Sequence, residues 1–243
     1  MEIVHILDLP KAKNVCDQSL REIPQTQNGQ IFSAAHVQMQ GFDTSLLHEH
    51  HMTNEIYVIT RGLGLLTREN RVFRVSAGDA IGIPKNARHK LVNLGKGDLE
   101  HLVIAMPPFQ PDDVHTDVPA ALFTENAERF MCPPWKNAFD GARIMEYSFG
   151  GELSIAYGTT VGKSALVRGK KSAHFHKLTH EYMFVVNGQG RIEINGTCHK
   201  IERGNWIHIL PYEYHLLLND SLSPLDVVCV CTPTFMQDDV YYH

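Results

Sequence analysis

Apolar and polar positions along the chain alternate over short runs, and glycines break the runs. Glu55-Ile56-Tyr57-Val58-Ile59-Thr60, Leu99 to Ala105, Glu181 to Val186, Arg191 to Ile194 and Asp226 to Val230 are rich in β-branched and aromatic residues. Gly62, Gly64, Gly78, Gly188, Gly190 and Gly204 punctuate them. Short strands separated by glycine turns predict an all-β architecture, a barrel or a sandwich. Helical periodicity is sparse: Pro119 to Met131 is the one stretch read as a short helix, with Pro133-Pro134 ending it.

The strand pattern occurs twice. His48, His50, Glu55 and Gly62 are followed by Gly78, His89 and Asn93, and the same spacings recur in His174, His176, Glu181, Gly188, Gly204, His215 and Asn219. Positions 174 against 48, 181 against 55 and 215 against 89 each differ by 126, and no gap is needed between His48 and Asn93. Pro107, Phe109, Asp112, Asp113 and Val114 recur at the same offset as Pro233, Phe235, Asp238, Asp239 and Val240. A duplication predicts two similar domains, 1–118 and 141–243, joined by a linker over 119–140 that carries the short helix.

Composition narrows the setting. The 243 residues carry a net charge of −5 with histidine neutral, and the nearest approach to a basic run is Gly169-Lys170-Lys171, read as a solvated turn. A nucleic-acid partner is therefore not expected, since phosphate neutralisation requires a basic face. No stretch reaches the ~20 apolar residues of a membrane span, and the first residues lack the basic and apolar segments of a signal peptide. Five cysteines (Cys16, Cys132, Cys198, Cys229 and Cys231) show no disulfide or zinc-ribbon spacing, and Cys229 and Cys231 read as buried strand thiols. The expected setting is the reducing cytoplasm.

The fifteen histidines carry the chemistry. Residues i and i+2 of a strand point the same way about 6–7 Å apart, so His48 and His50 share one face, as do His174 and His176. After a tight turn Glu55 reaches the same volume from the neighbouring strand, and a closed barrel brings His89 to it. Three neutral imidazoles and a carboxylate suit Mn, Fe, Co, Ni, Cu or Zn, with one or two positions left open for substrate. Asn93 and Asn219 read as turn-fixing. The pairs Asp112-Asp113 and Asp238-Asp239 read as solvated turn or cap residues.

These motifs resemble the two motifs of the cupin superfamily, G-(x)5-H-x-H-(x)3,4-E-(x)6-G and G-(x)5-P-x-G-(x)2-H-(x)3-N. Small departures are Asn86 in place of the middle glycine, Gly41 one residue early, Gly169 one residue late, and Pro211 one position late, which predicts a slightly different loop before His215. The resemblance implies a bicupin of two tandem double-stranded β-helix (jelly-roll) barrels. It also implies one divalent metal per domain, Fe or Mn favoured, on His48, His50, Glu55 and His89 and on His174, His176, Glu181 and His215. The fifteen residues between Gly62 and Gly78 leave little room for a long lid.

Outside the ligand sets the copies differ at Tyr57 against Met183, His101 against Val227, and His208 against Gly82. Tyr57 and His101 are read as a proton relay beside the first metal, and Glu55 or Glu181 as a ligand able to act as a base. His51 and His180 lie in the turns beside the ligands. The function expected from the ligand set is an Fe- or Mn-dependent, dioxygenase-like oxygenase acting on a small organic molecule. The alternatives are a redox-neutral isomerase, lyase or decarboxylase and a non-catalytic small-molecule-binding cupin. A small-molecule substrate and a second copy in a homodimer are the expected partners.

Overall fold

The computed structural model describes residues 1–24, 31–117, 127–138, 141–160 and 173–242. Most of the span read as a short helix, and the Gly169-Lys170-Lys171 run, lie outside the described residues. Within the described part of 119–140, Glu128–Arg129 and Lys136–Asn137 are short strands. Among the described residues the helical segments are three-residue 3-10 turns, and no helix is long and apolar enough to cross a membrane.

The chain divides into two compact units, Asp8–Cys132 and Pro133–His243 together with Met1–Leu7. The division lies between Cys132 and Pro133. The first residues depart from their expected place in the N-terminal domain because Glu2–His5 pairs antiparallel with Asn205–Ile209, adding an edge strand to the C-terminal sheet.

In the N-terminal unit one sheet runs in the order Ala12–Lys13, Ser19–Glu22, Ser33–Met39, Leu99–Met106, Asn54–Arg61, Ala80–Ile83. A second sheet joins His89–Asn93, Leu63–Arg68, Arg71–Ser76 and Glu128–Arg129. The apolar side of each alternating strand faces the space between the sheets, where Val37, Tyr57, Ile59, Leu66, Ile81 and Leu91 form the core. The C-terminal unit repeats this plan: Asn205–Ile209, His180–Asn187, Leu225–Thr232, Ser154–Thr160 and Arg143–Ser148 adjoin one another in one sheet. Thr197–Glu202, Gln189–Ile194, His215–Leu218, His174–His176 and Val240–Tyr242 form the other. Two double-sheet barrels of this kind are the tandem jelly rolls that the repeat predicts.

Pairing extends the repeat beyond its ungapped core. Val37 lies opposite His101 and Gly158 opposite Val227, so the strands before the first histidine correspond at an offset five residues shorter. Ser33 Oγ accepts the Phe109 N–H at 2.8 Å, and Ser154 Oγ accepts that of Phe235 at 2.9 Å. A shift of register between the copies therefore leaves their three-dimensional equivalence intact.

The glycine after the histidine-glutamate motif has a steric cause. Gly188 sits at φ +86°, and a Cβ there would lie 2.3 Å from the Pro224 carbonyl oxygen. Replacing it with alanine adds left-handed strain to a backbone clash, and an expected loss of about 3 kcal/mol is measurable by denaturant unfolding.

Candidate metal centres

Each centre is assembled by pairings that the two barrels share. His48 and His89 face each other across an isolated antiparallel bridge, and His174 pairs with His215. Glu55 and Glu181 stand at the starts of central strands, opposite Ile83 and Ile209. The loops before His89 and His215 carry the same contact: the Asn86 N–H donates to the His50 carbonyl and the Tyr212 N–H to that of His176, each at 2.6 Å. Asn86 and Tyr212 both adopt positive φ, 64° and 67°. The loop before His215 therefore keeps the shape of its counterpart despite the displaced proline, because backbone geometry and not the proline sets it.

The ligand atoms of His48, His50, Glu55 and His89 lie within 4.8 Å of one another, and so do those of His174, His176, Glu181 and His215. Opposite donors ~2.0–2.2 Å from one ion stand about 4.4 Å apart, so both sets need close only slightly to surround an ion. Ring-centroid separations show how closely one centre copies the other: 4.0 Å for His48–His89 against 4.3 Å for His174–His215, and 5.7 Å for both His50–His89 and His176–His215.

Hydrogen bonds fix the ring orientations. The Nδ1–H groups of His48, His89 and His215 donate to the carbonyls of Leu46, Ala87 and Glu213 at 2.9 Å, and that of His176 to Asp239 at 3.1 Å. Each contact leaves the Nε2 lone pair for the centre. Nε2 of His50 and of His215 are buried with no hydrogen-bond partner, the orphaned state of a nitrogen placed to ligate.

Charge agrees with that role. Burial, and next the neighbouring His89, push the His48 pKa down to about 3 and keep its ring neutral. Burial acts to raise Glu55, but the neighbouring His50 and His89 rings outweigh it and hold the carboxylate ionised. Glu181 is held well below the usual carboxylate range by His176 and His215 in the same way. Metal binding demands neutral imidazoles beside an ionised carboxylate; His48 and the two glutamates already stand so, while Glu55 and Glu181 outweigh burial and raise His50 and His176, whose protons an ion would displace. Each domain therefore gathers four residues suited to holding one divalent metal.

Around the ligands the structure sorts the remaining candidates. Tyr57 is 2% exposed, its ring edge-on to His89 at 5.8 Å and its hydroxyl in reach of Glu55. His101 is fully buried, its ring 4.8 Å from that of Tyr57, but neither of its nitrogens has a hydrogen-bond partner. A hydrogen-bonded relay from Tyr57 to His101 is therefore not formed, and His101 instead backs the Tyr57 ring. Met183 and Val227 occupy the equivalent interior positions of the second barrel.

His208 does not belong to a pocket difference between the barrels. It lies opposite Tyr182, one residue out of step with the inward-facing Glu181 and Met183, and stacks on Tyr182 at 4.1 Å. His180 meets it there, 3.2 Å between ring nitrogens. His51, on the first barrel, stacks on His115 at 3.8 Å and bonds Glu49 at 3.1 Å, away from the ligands.

The aspartate pairs also divide. Asp113 and Asp239 are buried, not solvated, at 2% and 4% exposure. Asp113 accepts the amides of His51, Met52 and Thr53 at 2.9–3.0 Å, and Asp239 those of Lys177, Leu178 and Thr179 at 2.9–3.2 Å. Each ties down the turn between two ligands, His50 and Glu55 or His176 and Glu181. Asn93 and Asn219 fix turns as expected, Asn93 donating to the Met39, Gln40 and Gly97 carbonyls and Asn219 to those of Thr160 and Ser223.

Two thiols not marked by the motifs stand beside the glutamates. Cys231 lies directly opposite Glu181 on the adjoining strand and is buried, whereas its neighbour Cys229 is partly exposed. Cys16 is 2% exposed, and burial, followed by the Glu55 charge, pushes its thiol up to about 12. Cys16 has no counterpart at the repeat offset, so only the fold reveals its place. With Tyr57 and the strands behind it, Cys16 bounds a cavity of about 870 Å³ that reaches His48, His50 and Glu55.

Comparison with known proteins agrees with this architecture. Residues 35–105 match the family described as Cupin domain. An uncharacterized protein of Methanocaldococcus jannaschii is 42% identical over 69 residues, which is 28% of this chain and 55% of that one, so the match spans about half of the relative's length. Bacillus subtilis oxalate decarboxylase, in a structure whose Mn(II) centres were studied, shares the fold over the whole of this chain and 79% of its own, with a TM-score of 0.71 and 13% identity. The same enzyme at pH 4.6 gives a TM-score of 0.70 over 78% of its length, also at 13% identity.

Proposed function

We propose, from the premise that the chain is a bicupin with two complete metal centres, that it is a metal-dependent enzyme and that its N-terminal barrel carries out redox-neutral chemistry on a small organic acid, decarboxylation in the first instance. The observation that carries this reading is the placement of Tyr57, a buried phenol beside Glu55 in a cavity that opens onto the ligands. A divalent ion on His48, His50, Glu55 and His89 supplies Lewis-acid binding of the substrate oxygens and stabilises negative charge that develops on them.

The remaining work falls to the chain. When the bond to the departing carboxylate breaks, its electron pair stays on the α-carbon, and that carbon takes one proton. Tyr57 O–H is the donor placed for that transfer, and solvent restores it, so one proton is consumed for each CO2 released. His101 positions the Tyr57 ring. Met183 offers no such proton in the second barrel, which assigns the two centres different work. The fold shared with oxalate decarboxylase supports this direction, and the identity of 13% leaves the reaction to experiment.

The test is turnover of the metal-reconstituted chain with a panel of organic acids, with and without oxygen. The expected result is CO2 release at the same rate in both, with no oxygen consumed. Activity that stops without oxygen would replace this reading with the oxygenase expected from the ligand set. Ligand-induced stabilisation without turnover would replace it with a binding module.

A further inference from the structure

We infer that the N-terminal centre takes an aryl or branched-alkyl monocarboxylate, its oxygens at the metal and its apolar body in the cavity, and not a two-carbon diacid. The inference rests on the proposed metal site and extends it to a substrate class.

Size is the first argument. Pockets of ~300–1,000 Å³ hold drug-sized ligands, and the cavity of about 870 Å³ lies in that range. At ~30 Å³ for each liquid water, a two-carbon diacid would leave most of that space to solvent.

The walls are the second argument. Ala35 and Val103 sit opposite one another on the central strands, with their side chains on the barrel-interior face that Tyr57 shares. Both are partly exposed, whereas Leu102 and Ile104, which flank Val103 and point to the other face, are completely buried. Interior positions open to the cavity while outward ones are closed are the reverse of a filled barrel. Small side chains at Ala35 and Ala105, with Leu20, Val37 and Phe109 nearby, leave a volume with apolar sides.

Polarity is the third argument. Away from the metal ligands and Tyr57, the deep polar groups are already engaged. Gln18 accepts from Asn14 at 3.3 Å and points its amide at the Met39 sulfur, and Ser33 Oγ accepts the Phe109 N–H. The lining cations, Lys11 and Lys13, are exposed at its rim, and Lys13 is already paired with Asp17, so a second carboxylate deep in this space would be buried without a partner, at a cost of several kcal/mol. The cavity therefore matches a ligand with one oxygen-rich end.

Calorimetric titration of the Mn(II)-reconstituted chain with phenylpyruvate and with oxalate tests this by binding alone. Phenylpyruvate is expected to bind at least tenfold more tightly than oxalate. Ala35→Phe, which fills the cavity, is expected to weaken phenylpyruvate more than tenfold while metal content and oxalate binding stay unchanged within twofold. Val103→Phe narrows the same space from the facing strand, so misfolding of one variant leaves the other as the test. Oxalate binding as tightly as phenylpyruvate, or phenylpyruvate binding insensitive to both variants, would overturn the inference. Tight, cavity-dependent binding of phenylpyruvate without CO2 release would uphold it and remove only the decarboxylase reading.

Discussion

Tyr57→Phe is expected to lower turnover about 100-fold while leaving the metal content of the chain unchanged. General acid catalysis by a positioned side chain is worth ~10²–10⁴ in rate, and the substitution removes the phenol hydroxyl beside the first centre's ligands while keeping the ring that packs against His89 and His101. The methionine at the equivalent position of the second barrel is the internal control, since Met183→Leu removes no proton and should leave turnover within a factor of about two. Metal analysis beside steady-state kinetics separates a lost proton donor from a lost ion. If Tyr57→Phe retains wild-type turnover, the proton comes from elsewhere.

Asp113→Ala is expected to cost about 3 kcal/mol in the N-terminal domain and to weaken its metal site ~10–100-fold. Three amides, those of His51, Met52 and Thr53, lose their acceptor at once, and unsatisfied buried donors cost ~1–3 kcal/mol each, less where water can enter. The turn they form connects His50 to Glu55, so its loosening spreads to the ligands. Asp239→Ala should do the same to the second site. The pH dependence has a definite sign. Burial acts to raise the Asp113 pKa, but the hydrogen bonds from Thr53, Met52 and His51 outweigh it and hold the carboxyl below its usual 3.8. A folded-state pKa depressed in this way contributes stability that is complete above the unfolded value and disappears as acid protonates the group. The stability difference between wild type and Asp113→Asn should accordingly shrink as the pH falls below about 4. Denaturant unfolding across that range, with a metal titration of each variant, measures both effects.

The parts of this picture that local sequence determines were legible, and those set by tertiary packing were not. The eight candidate ligands were legible because strand alternation and a repeated spacing are properties of the chain itself, on which the cupin resemblance assigns the ligand sets, and the structure gathers them into two groups of four. His208 shows the limit. Whether it faces inward depends on its register against Tyr182, and register between strands far apart in sequence is a tertiary fact. Asp113 looked solvated because a turn aspartate usually is; its donors lie about sixty residues upstream, and only the closed fold brings those amides to it. Cys16 belongs to the segment before the repeat, where no second copy existed for comparison, and only the fold sets it against the cavity wall formed by residues of the repeat. Glu2–His5 lies first in the chain, yet its partner strand is Asn205–Ile209, a pairing no local pattern announces.

The central claim is two complete and independent metal centres in one chain, and metal content per chain is its most direct measure. Full-length protein purified without chelator and saturated with Mn(II) or Zn(II) should carry two equivalents. His50→Ala and His176→Ala should each carry one, and the double variant none. A single substitution that empties both sites, or leaves both filled, would contradict the account.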